Sequence, residues 1–178
     1  MKKALLLDRD GIINVDHGYV YKKEAFEFVK DIFAVSLDAQ NKGYEIFVIT
    51  NQSGIGRGKY TVEQFEQLSM WMVDEFKAKG ITISSVYHCP HHPEKGLGAY
   101  LKVCDCRKPE PGMILSAAKE HNLDLAKSVF IGDKISDMQA AERAGIENRI
   151  LLAGQYNDNE SIIAHRINSL IEASLYIN

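Results

Sequence analysis

Apolar residues in this chain arrive in short unbroken runs that stop abruptly at polar, glycine-containing segments. Ala4-Leu5-Leu6-Leu7 stops at Asp8-Arg9-Asp10-Gly11, Glu45 to Ile49 stops at Thr50-Asn51-Gln52-Ser53-Gly54, and Ser128 to Ile131 stops at Gly132-Asp133-Lys134. Short runs without alternation are the mark of parallel strands covered on both faces. Ile150-Leu151-Leu152 predicts a last strand, followed by a polar link and a C-terminal helix around Ile162 to Leu175. Helical periodicity fills the intervals. Thr61 to about Lys79 carries Phe65, Leu68, Met72 and Phe76 on one face, with Thr61 and Gln64 spaced as a capping box and Gly80 as the stop. Asp31 to Lys42 is a second helix ended by Gly43, Pro111 opens a third through His121, and Ser136 or Asp137 caps a fourth that ends before Gly145.

Strands alternating with helices predict an α/β fold, a Rossmann-like, mostly parallel sheet with helices on both faces, whose ligands gather beyond the carboxyl ends of the strands. The polar clusters fall at those ends. Cys89 to Glu110 is the only long irregular stretch, and a loop of that length in a compact domain is usually functional or held by something.

Composition narrows the class. With 178 residues, 46% of them hydrophobic, the chain can bury one core, so a single domain over residues 1–178 is expected. A formal charge of -3 supplies no basic field for DNA or RNA. No apolar run approaches the roughly 20 residues of a membrane span, and Met1-Lys2-Lys3 leads into a strand rather than a signal peptide. The expectation is an unprocessed cytoplasmic monomer with a small-molecule partner. Three cysteines confined to one short region read as intracellular thiols or metal ligands rather than a disulfide framework.

The strand ends hold candidate chemistry. Asp8 and Asp10 flank Arg9 where the first strand turns into a loop, so the two carboxylates can face different ways and take different roles. Phosphoryl transfer needs an in-line nucleophile, an acid for the leaving oxygen, and positive charge or donors for the equatorial oxygens. Asp8, Asp10, Thr50, Lys108 and Asp133 offer those parts. The bland readings are a strand-ending Asp pair, a turn residue at Thr50 and a helix-capping Asp137. Gly54, Gly56 and Gly58 lack the Gly-Lys-Ser/Thr ending of a P-loop.

Asp8-Arg9-Asp10-Gly11, the Thr50 strand end, Lys108-Pro109, and Gly132-Asp133 with Asp137 resemble the four ordered motifs of the haloacid dehalogenase superfamily. The resemblance implies that Asp8 is the nucleophile, phosphorylated in passing, and Asp10 the general acid and base. It implies that Thr50 and Lys108 stabilise the phosphoryl group, and that Mg²⁺ is held by Asp8, the Asp10 main-chain carbonyl and Asp133. Mg²⁺ suits such oxygen ligands. Ile12 departs from the Thr common in the family at that place, without removing a catalytic group.

Cys89-Pro90-His91 and Cys104-Asp105-Cys106 form two close pairs of soft ligands, the pattern of a closed, structural Cys₃His zinc site, with His88 and His92 as rival ligands. Buried inert thiols are the bland alternative. Together with Asp16-His17-Gly18-Tyr19, Thr50 to Gly54, Cys89 to Pro93 and Cys104 to Pro109, this loop resembles the superfamily branch of heptose-bisphosphate and histidinol-phosphate phosphatases. That resemblance implies Zn²⁺ on Cys89, His91, Cys104 and Cys106, a minimal cap, and substrate contacts from Asp16, His17, Gly18, Tyr19, Thr50, Asn51, Gln52, Ser53, Arg107, Lys108 and Lys134. It implies a sugar phosphate as substrate, with the 7-phosphate of a heptose bisphosphate removed on the way to bacterial surface polysaccharide. Histidinol phosphate is the alternative substrate. From other classes, a phospho-accepting receiver domain would carry its acceptor on a later strand, and a zinc-stabilised binding module would leave the ordered aspartates unexplained.

Overall fold

The computed structural model describes residues 1–154 and 161–178. Six strands run in chain order as β1 Ala4–Leu7, β2 Glu45–Asn51, β3 Ile83–Cys89, β4 Val129–Gly132, β5 Asn148–Leu152 and β6 His165–Ile167. All pair in parallel, in the spatial order β3-β2-β1-β4-β5-β6. The helices are α1 Ile32–Asn41, the single turn α2 Ser53–Gly56, α3 Val62–Ala78, α4 Gly112–His121 and α5 Ile135–Arg143.

The unbroken apolar runs follow from cover on both faces. Every residue of β1 is fully buried. Because side chains alternate along a strand, Leu5 and Leu7 join the cluster built on Ile32, Val35, Leu68, Met72 and Phe76 of α1 and α3. Ala4 and Leu6 join the opposite cluster with Met113, Ile114, Met138 and Ala141 of α4 and α5. The parallel registers Leu5 with Ile46 and Leu5 with Val129 keep three strands in phase, so both cores are continuous across the sheet.

Chain reversal in strand order lies between β1 and β4. Connections to the two sides diverge there and leave a crevice at the strands' carboxyl ends, where ligands bind in sheets of this kind. Asp8 and Asp133 sit directly after those two strands.

The helix starts follow local chemistry. Thr61 Oγ1 accepts from the Gln64 amide at 3.1 Å and Gln64 Oε1 accepts from the Thr61 amide at 2.9 Å, which is the expected capping box. Helix α5 begins at Ile135, ahead of Ser136 and Asp137, and Asp137 serves its first turn from within by accepting the amides of Asp133 and Lys134. Hydrophobic patterning carries no clear signal for β3. It is an edge strand whose five central residues are all half-buried, so Ser84, Ser85 and His88 are tolerated.

The C-terminal segment corrects the sequence expectation. In place of a helix around Ile162 to Leu175, His165–Ile167 pairs with Ile150–Leu152 as the second sheet edge, and a 3₁₀ segment Leu170–Leu175 follows. Pairing to an open strand edge outweighs a weak local helix preference, and Leu170, Ala173 and Ile177 still reach the core. The expected polar link before it falls largely on residues 155–160, outside the described residues. Among the described residues no helix is long and apolar enough to cross a membrane. The stretches between β1 and α1 and between β3 and α4 contain only the 3₁₀ turns Lys23–Ala25 and Gly98–Tyr100.

Phe47 is fully buried on the α4/α5 side of β2, edge-on to His121 at 4.8 Å between ring centroids. Phe47→Ala should lower unfolding stability by about 3–5 kcal/mol in urea titration, and a loss below about 1 kcal/mol would mean that this half of the core is loosely packed.

Candidate active site

Four chain segments converge at the crevice. β1 delivers Asp8, β2 delivers Thr50 at its carboxyl end, the loop after the cysteine pair delivers Lys108, and the turn from β4 into α5 delivers Asp133 and Asp137. Lys108 Nζ is buried and bonds Asp8 Oδ1 at 2.9 Å, Asp137 Oδ1 at 2.7 Å and the Ile49 carbonyl at 2.8 Å. Burial alone would lower its pKa. The two carboxylates outweigh burial, so the ammonium stays charged.

Asp8 Oδ1 also accepts from the Arg9 amide at 2.9 Å, while among the described residues no hydrogen-bond donor is on Oδ2. One oxygen is pinned and the other remains free to react. Burial, with Asp137 nearby, lifts the Asp8 pKa to about 6 against the pull of Lys108. Asp133 is lifted further, to about 8, by burial and by the charges of Asp8 and Asp137.

Side-chain oxygens of Asp8, Asp133 and Asp137 lie within 4.8 Å of one another. Three carboxylates crowd around one buried lysine, more negative charge than it can offset, and Asp133 Oδ1 is buried without a hydrogen-bond partner among the described residues. Hard oxygen donors, that excess charge and the orphaned atom fit a divalent cation such as Mg²⁺. Asp137 is occupied by Lys108 and the amides of Asp133 and Lys134, which leaves Asp8 and Asp133 as the available carboxylates. Gly11 is required beside them: its φ is +98° and an added Cβ would fall 2.1 Å from Asp133 Oδ2.

Asp10 lies in a different environment. Oδ1 accepts from Arg9 Nη2 at 2.9 Å and Asn14 Nδ2 at 3.0 Å, and Oδ2 accepts from Gln52 Nε2 at 3.0 Å. Burial raises its pKa, but the Arg9 charge and these bonds prevail and hold it below the usual carboxylate value. Asp8 and Asp10 are thus one residue apart in sequence with opposite shifts, set by their different surroundings.

Asp10 borders a cleft of about 280 Å³ with Asp16, Gly18, Tyr19, Asn51, Gln52, Ser53, Gly54, Tyr60 and Lys134. Lys134 Nζ is 3.9 Å from Asp16 Oδ2, and the Gly18 amide donates to Asp16 Oδ1. Three expected substrate contacts also bond within the protein. His17 is turned outward to Glu27 at 2.9 Å and lies outside the residues lining this cleft. Asn51 clamps the Lys108 backbone from both sides, donating to its carbonyl at 3.1 Å and accepting from its amide at 3.0 Å. Arg107 lines a neighbouring cavity with Lys108 and donates to the His91 carbonyl at 3.4 Å.

Cys89, His91, Cys104 and Cys106 come together, with ligand-atom separations of 2.7–3.6 Å along their five hydrogen-bonding contacts. Four zinc ligands at about 2.0–2.3 Å in a tetrahedron lie roughly 3.3–3.8 Å apart; the donor set and four of the five contacts fit Zn²⁺, while Cys89 and Cys106 at 2.7 Å would have to separate to hold it. The rivals are excluded by their surroundings: His92 Nδ1 accepts the amides of Glu94 and Lys95, and His88 packs on Phe65 at 4.4 Å.

Comparison with known proteins supplies the lineage. A family model described as HAD-hydrolase-like matches residues 105–173. The D-glycero-β-D-manno-heptose-1,7-bisphosphate 7-phosphatase of Vibrio cholerae is 50% identical over 85% of this chain and 81% of its own length. The Haemophilus ducreyi protein of the same name is 41% identical over 99% of both chains. The chain belongs to this family of heptose-bisphosphate phosphatases. A solved structure of a D,D-heptose 1,7-bisphosphate phosphatase from B. bronchiseptica, complexed with magnesium and phosphate, superposes with a TM-score of 0.80 at 25% identity, covering 97% of this chain and 96% of that one. A had-like phosphatase structure from Mesorhizobium loti reaches a TM-score of 0.88 at 31% identity, covering 99% and 84%.

Within the family's frame, sequence reading left four site residues without a role: Arg9, Asn14 and Tyr60, and Asp137 as a partner of Lys108. Arg9 and Asn14 have a signal in hindsight, because polar side chains beside an Asp pair at a buried strand end need partners. Asp137 has one too, lying four residues beyond Asp133 on the first turn of a helix.

The raised pKa values of Asp8 and Asp133 mean that the metal-free native protein holds protons the unfolded chain has lost. Their contribution to stability is full below about pH 4 and is lost as pH rises through about 6 and 8. A cation bound between them must displace protons at low pH and meets bare carboxylates at high pH. Mg²⁺ should therefore raise Tm more at pH 8.5 than at pH 6, read by differential scanning fluorimetry, and equal shifts at both values would remove this cluster as the site.

Proposed function

We propose that this chain is a Mg²⁺-dependent phosphatase that removes the 7-phosphate of D-glycero-β-D-manno-heptose 1,7-bisphosphate through a phosphorylated Asp8. The observation that carries the chemistry is the convergence of Asp8, Lys108 and Asp133 in one buried cluster beside an Asp10 of opposite electrostatic character. The substrate rests on relatives of that name at 41–50% identity and on the magnesium- and phosphate-bound structural neighbour.

Asp8 Oδ2 attacks phosphorus while its other oxygen is held by Lys108 and the Arg9 amide. Asp10, ionised while the cleft is empty, takes up a proton from solvent as the negatively charged phosphate enters beside it; when the bond from phosphorus to the sugar oxygen breaks, Asp10 gives that oxygen this proton. Asp10 then takes a proton from water, which attacks phosphorus, releases inorganic phosphate and regenerates Asp8. Thr50 and Lys108 face the charge on the equatorial oxygens. Asp8, the Asp10 carbonyl and Asp133 would hold Mg²⁺, which would supply Lewis acidity and neutralise phosphate charge.

The sugar lies in the cleft, where Asp16, Ser53 and Lys134 offer partners for hydroxyl groups. Arg107 waits on the far side of Lys108 for the second phosphate, and its planar fork suits two-point recognition. Zn²⁺ on Cys89, His91, Cys104 and Cys106 is structural, since all four positions are protein ligands. The reaction belongs to heptose metabolism for surface glycans, and a cytoplasmic monomer acting on a free sugar phosphate fits it.

Phosphate release with Mg²⁺ tests the reading directly. Heptose 1,7-bisphosphate should be hydrolysed at least about 100-fold more efficiently than histidinol phosphate, about 2.7 kcal/mol of discrimination. The reverse order would keep the mechanism and change the substrate, and turnover of neither would overturn the enzymatic reading. Asp8→Asn should abolish turnover in a protein that still folds.

Cys104→Ser should lose bound zinc by metal analysis and lower Tm. Turnover should fall with it, because residues Arg107 and Lys108 follow the last ligand directly. Loss of zinc with unchanged turnover would separate the loop from the chemistry.

A further inference from the structure

We infer that Tyr60 is a positioning residue for the proposed general acid, acting through the side-chain amide of Gln52. The inference rests on the reading of Asp10 as acid and base. Gln52 is 2% exposed, and its three polar contacts reach three different side chains. Its Nε2 donates to Asp10 Oδ2 at 3.0 Å and to Thr50 Oγ1 at 2.8 Å, while its Oε1 accepts from the Tyr60 hydroxyl.

An amide fits its pocket in two orientations that differ by exchange of oxygen and nitrogen, and only neighbours decide between them. The Tyr60 O–H can only be satisfied here by an acceptor. It therefore keeps Oε1 toward itself and both Nε2 hydrogens toward Asp10 and Thr50. Two consequences follow for the reacting groups. Asp10 Oδ2 is held from the side opposite Arg9 and Asn14, which fixes the plane of the carboxyl group. Thr50 Oγ1 is an acceptor from Gln52, so its own O–H, which makes only a 3.4 Å contact to the Asn51 carbonyl, can turn to a phosphoryl oxygen.

Tyr60 is itself rigidly placed. It is 6% exposed, stacks on Tyr21 with ring centroids 5.4 Å apart and planes 11° apart, and packs with Ile55 and Phe65. Gly54 permits its approach, since a Cβ there would lie 2.2 Å from the ring. The ring and its packing survive in Tyr60→Phe, which removes only the hydroxyl and leaves Gln52 Oε1 buried without that donor. Asp10 still draws Nε2, but the amide is no longer anchored at its oxygen, so the orientation it imposes on Asp10 and Thr50 loosens.

Leaving-group dependence separates this role from a general structural one. Reaction of heptose 1,7-bisphosphate up to the first irreversible step expels an alkoxide, which needs a proton from Asp10. The same step with p-nitrophenyl phosphate expels a stabilised phenolate, which does not. Tyr60→Phe should lower kcat/KM about 10-fold for the sugar phosphate and less than about 3-fold for the aryl phosphate, a fraction of the 10²–10⁴ that a general acid supplies. In a Gln52→Leu background the same substitution should cost nothing further, because the path from Tyr60 to Asp10 is already cut.

Equal losses on both substrates, or no loss on either, would overturn the inference while Asp10→Asn still discriminated between them. If Asp10→Asn itself lowered both alike, the reading of Asp10 would fall and this inference with it.

Discussion

Everything at the crevice is arranged around one buried ammonium group. Lys108 Nζ ties Asp8, Asp137 and the end of β2 together at 2.7–2.9 Å, in a place from which water is excluded. Charges taken out of water to that depth are costly, and removing one partner of such a pair typically costs about 3–5 kcal/mol. The chain therefore has to bring Lys108 to this point whenever Asp8 and Asp137 are buried. A lysine that comes from a long irregular loop cannot be delivered by regular structure. It is delivered by two devices: the Asn51 side chain, which grips the Lys108 backbone at both its amide and its carbonyl, and the cysteine and histidine cluster, which ends two residues earlier. The loop is ordered because the site needs its last residues.

The same pairing explains why two aspartates one residue apart behave differently. Asp8 shares its buried space with Asp133 and Asp137 and only one cation, so its charge is under-compensated and its pKa rises. Asp10 turns away into a pocket with an arginine, an asparagine amide and a glutamine amide, so its charge is over-determined and its pKa falls. The divergence is a matter of environment rather than residue type, and it arises where the backbone leaves β1 through Gly11 in a conformation suited to glycine. A residue with a Cβ at Gly11 would strike Asp133, so the turn that separates the two carboxylates also makes room for the third.

Much of this was legible in the sequence because buried parallel strands are unbroken apolar runs and their ends are where chemistry must sit. Asp8, Thr50 and Asp133 stand out by that rule, and Lys108 and the cysteine and histidine cluster by spacing and resemblance. What the pattern concealed has physical reasons. Strand β3 is half-buried at an edge and tolerates serine and histidine, so it has no strong period. The segment at His165–Ile167 becomes a strand only because β5 offers it an open edge. The resemblance implies Asn51 as a substrate contact, and its grip on the Lys108 backbone, which no sequence pattern signals, exists only in the fold. Tyr60 could not be found from its neighbours in sequence, since its role exists only once Gln52 is folded against Asp10.

A fold with only short 3₁₀ turns in its two longest connections among the described residues has little with which to close over a substrate. Water must then be kept from the aspartyl group by depth and by occupied hydrogen bonds rather than by a moving domain. Asp8 is 5% exposed, Thr50 is fully buried, and Gln52 fills the space between Thr50 and Asp10 with an amide whose three polar contacts are all made within the protein. In the proposed reading selectivity is displaced outward, to the Asp16 and Lys134 pair and to Arg107, where side chains are more exposed. Such an arrangement puts the proposed chemistry on the inner shell of donors and leaves recognition to outer loops, so that a change there need not disturb the buried charges.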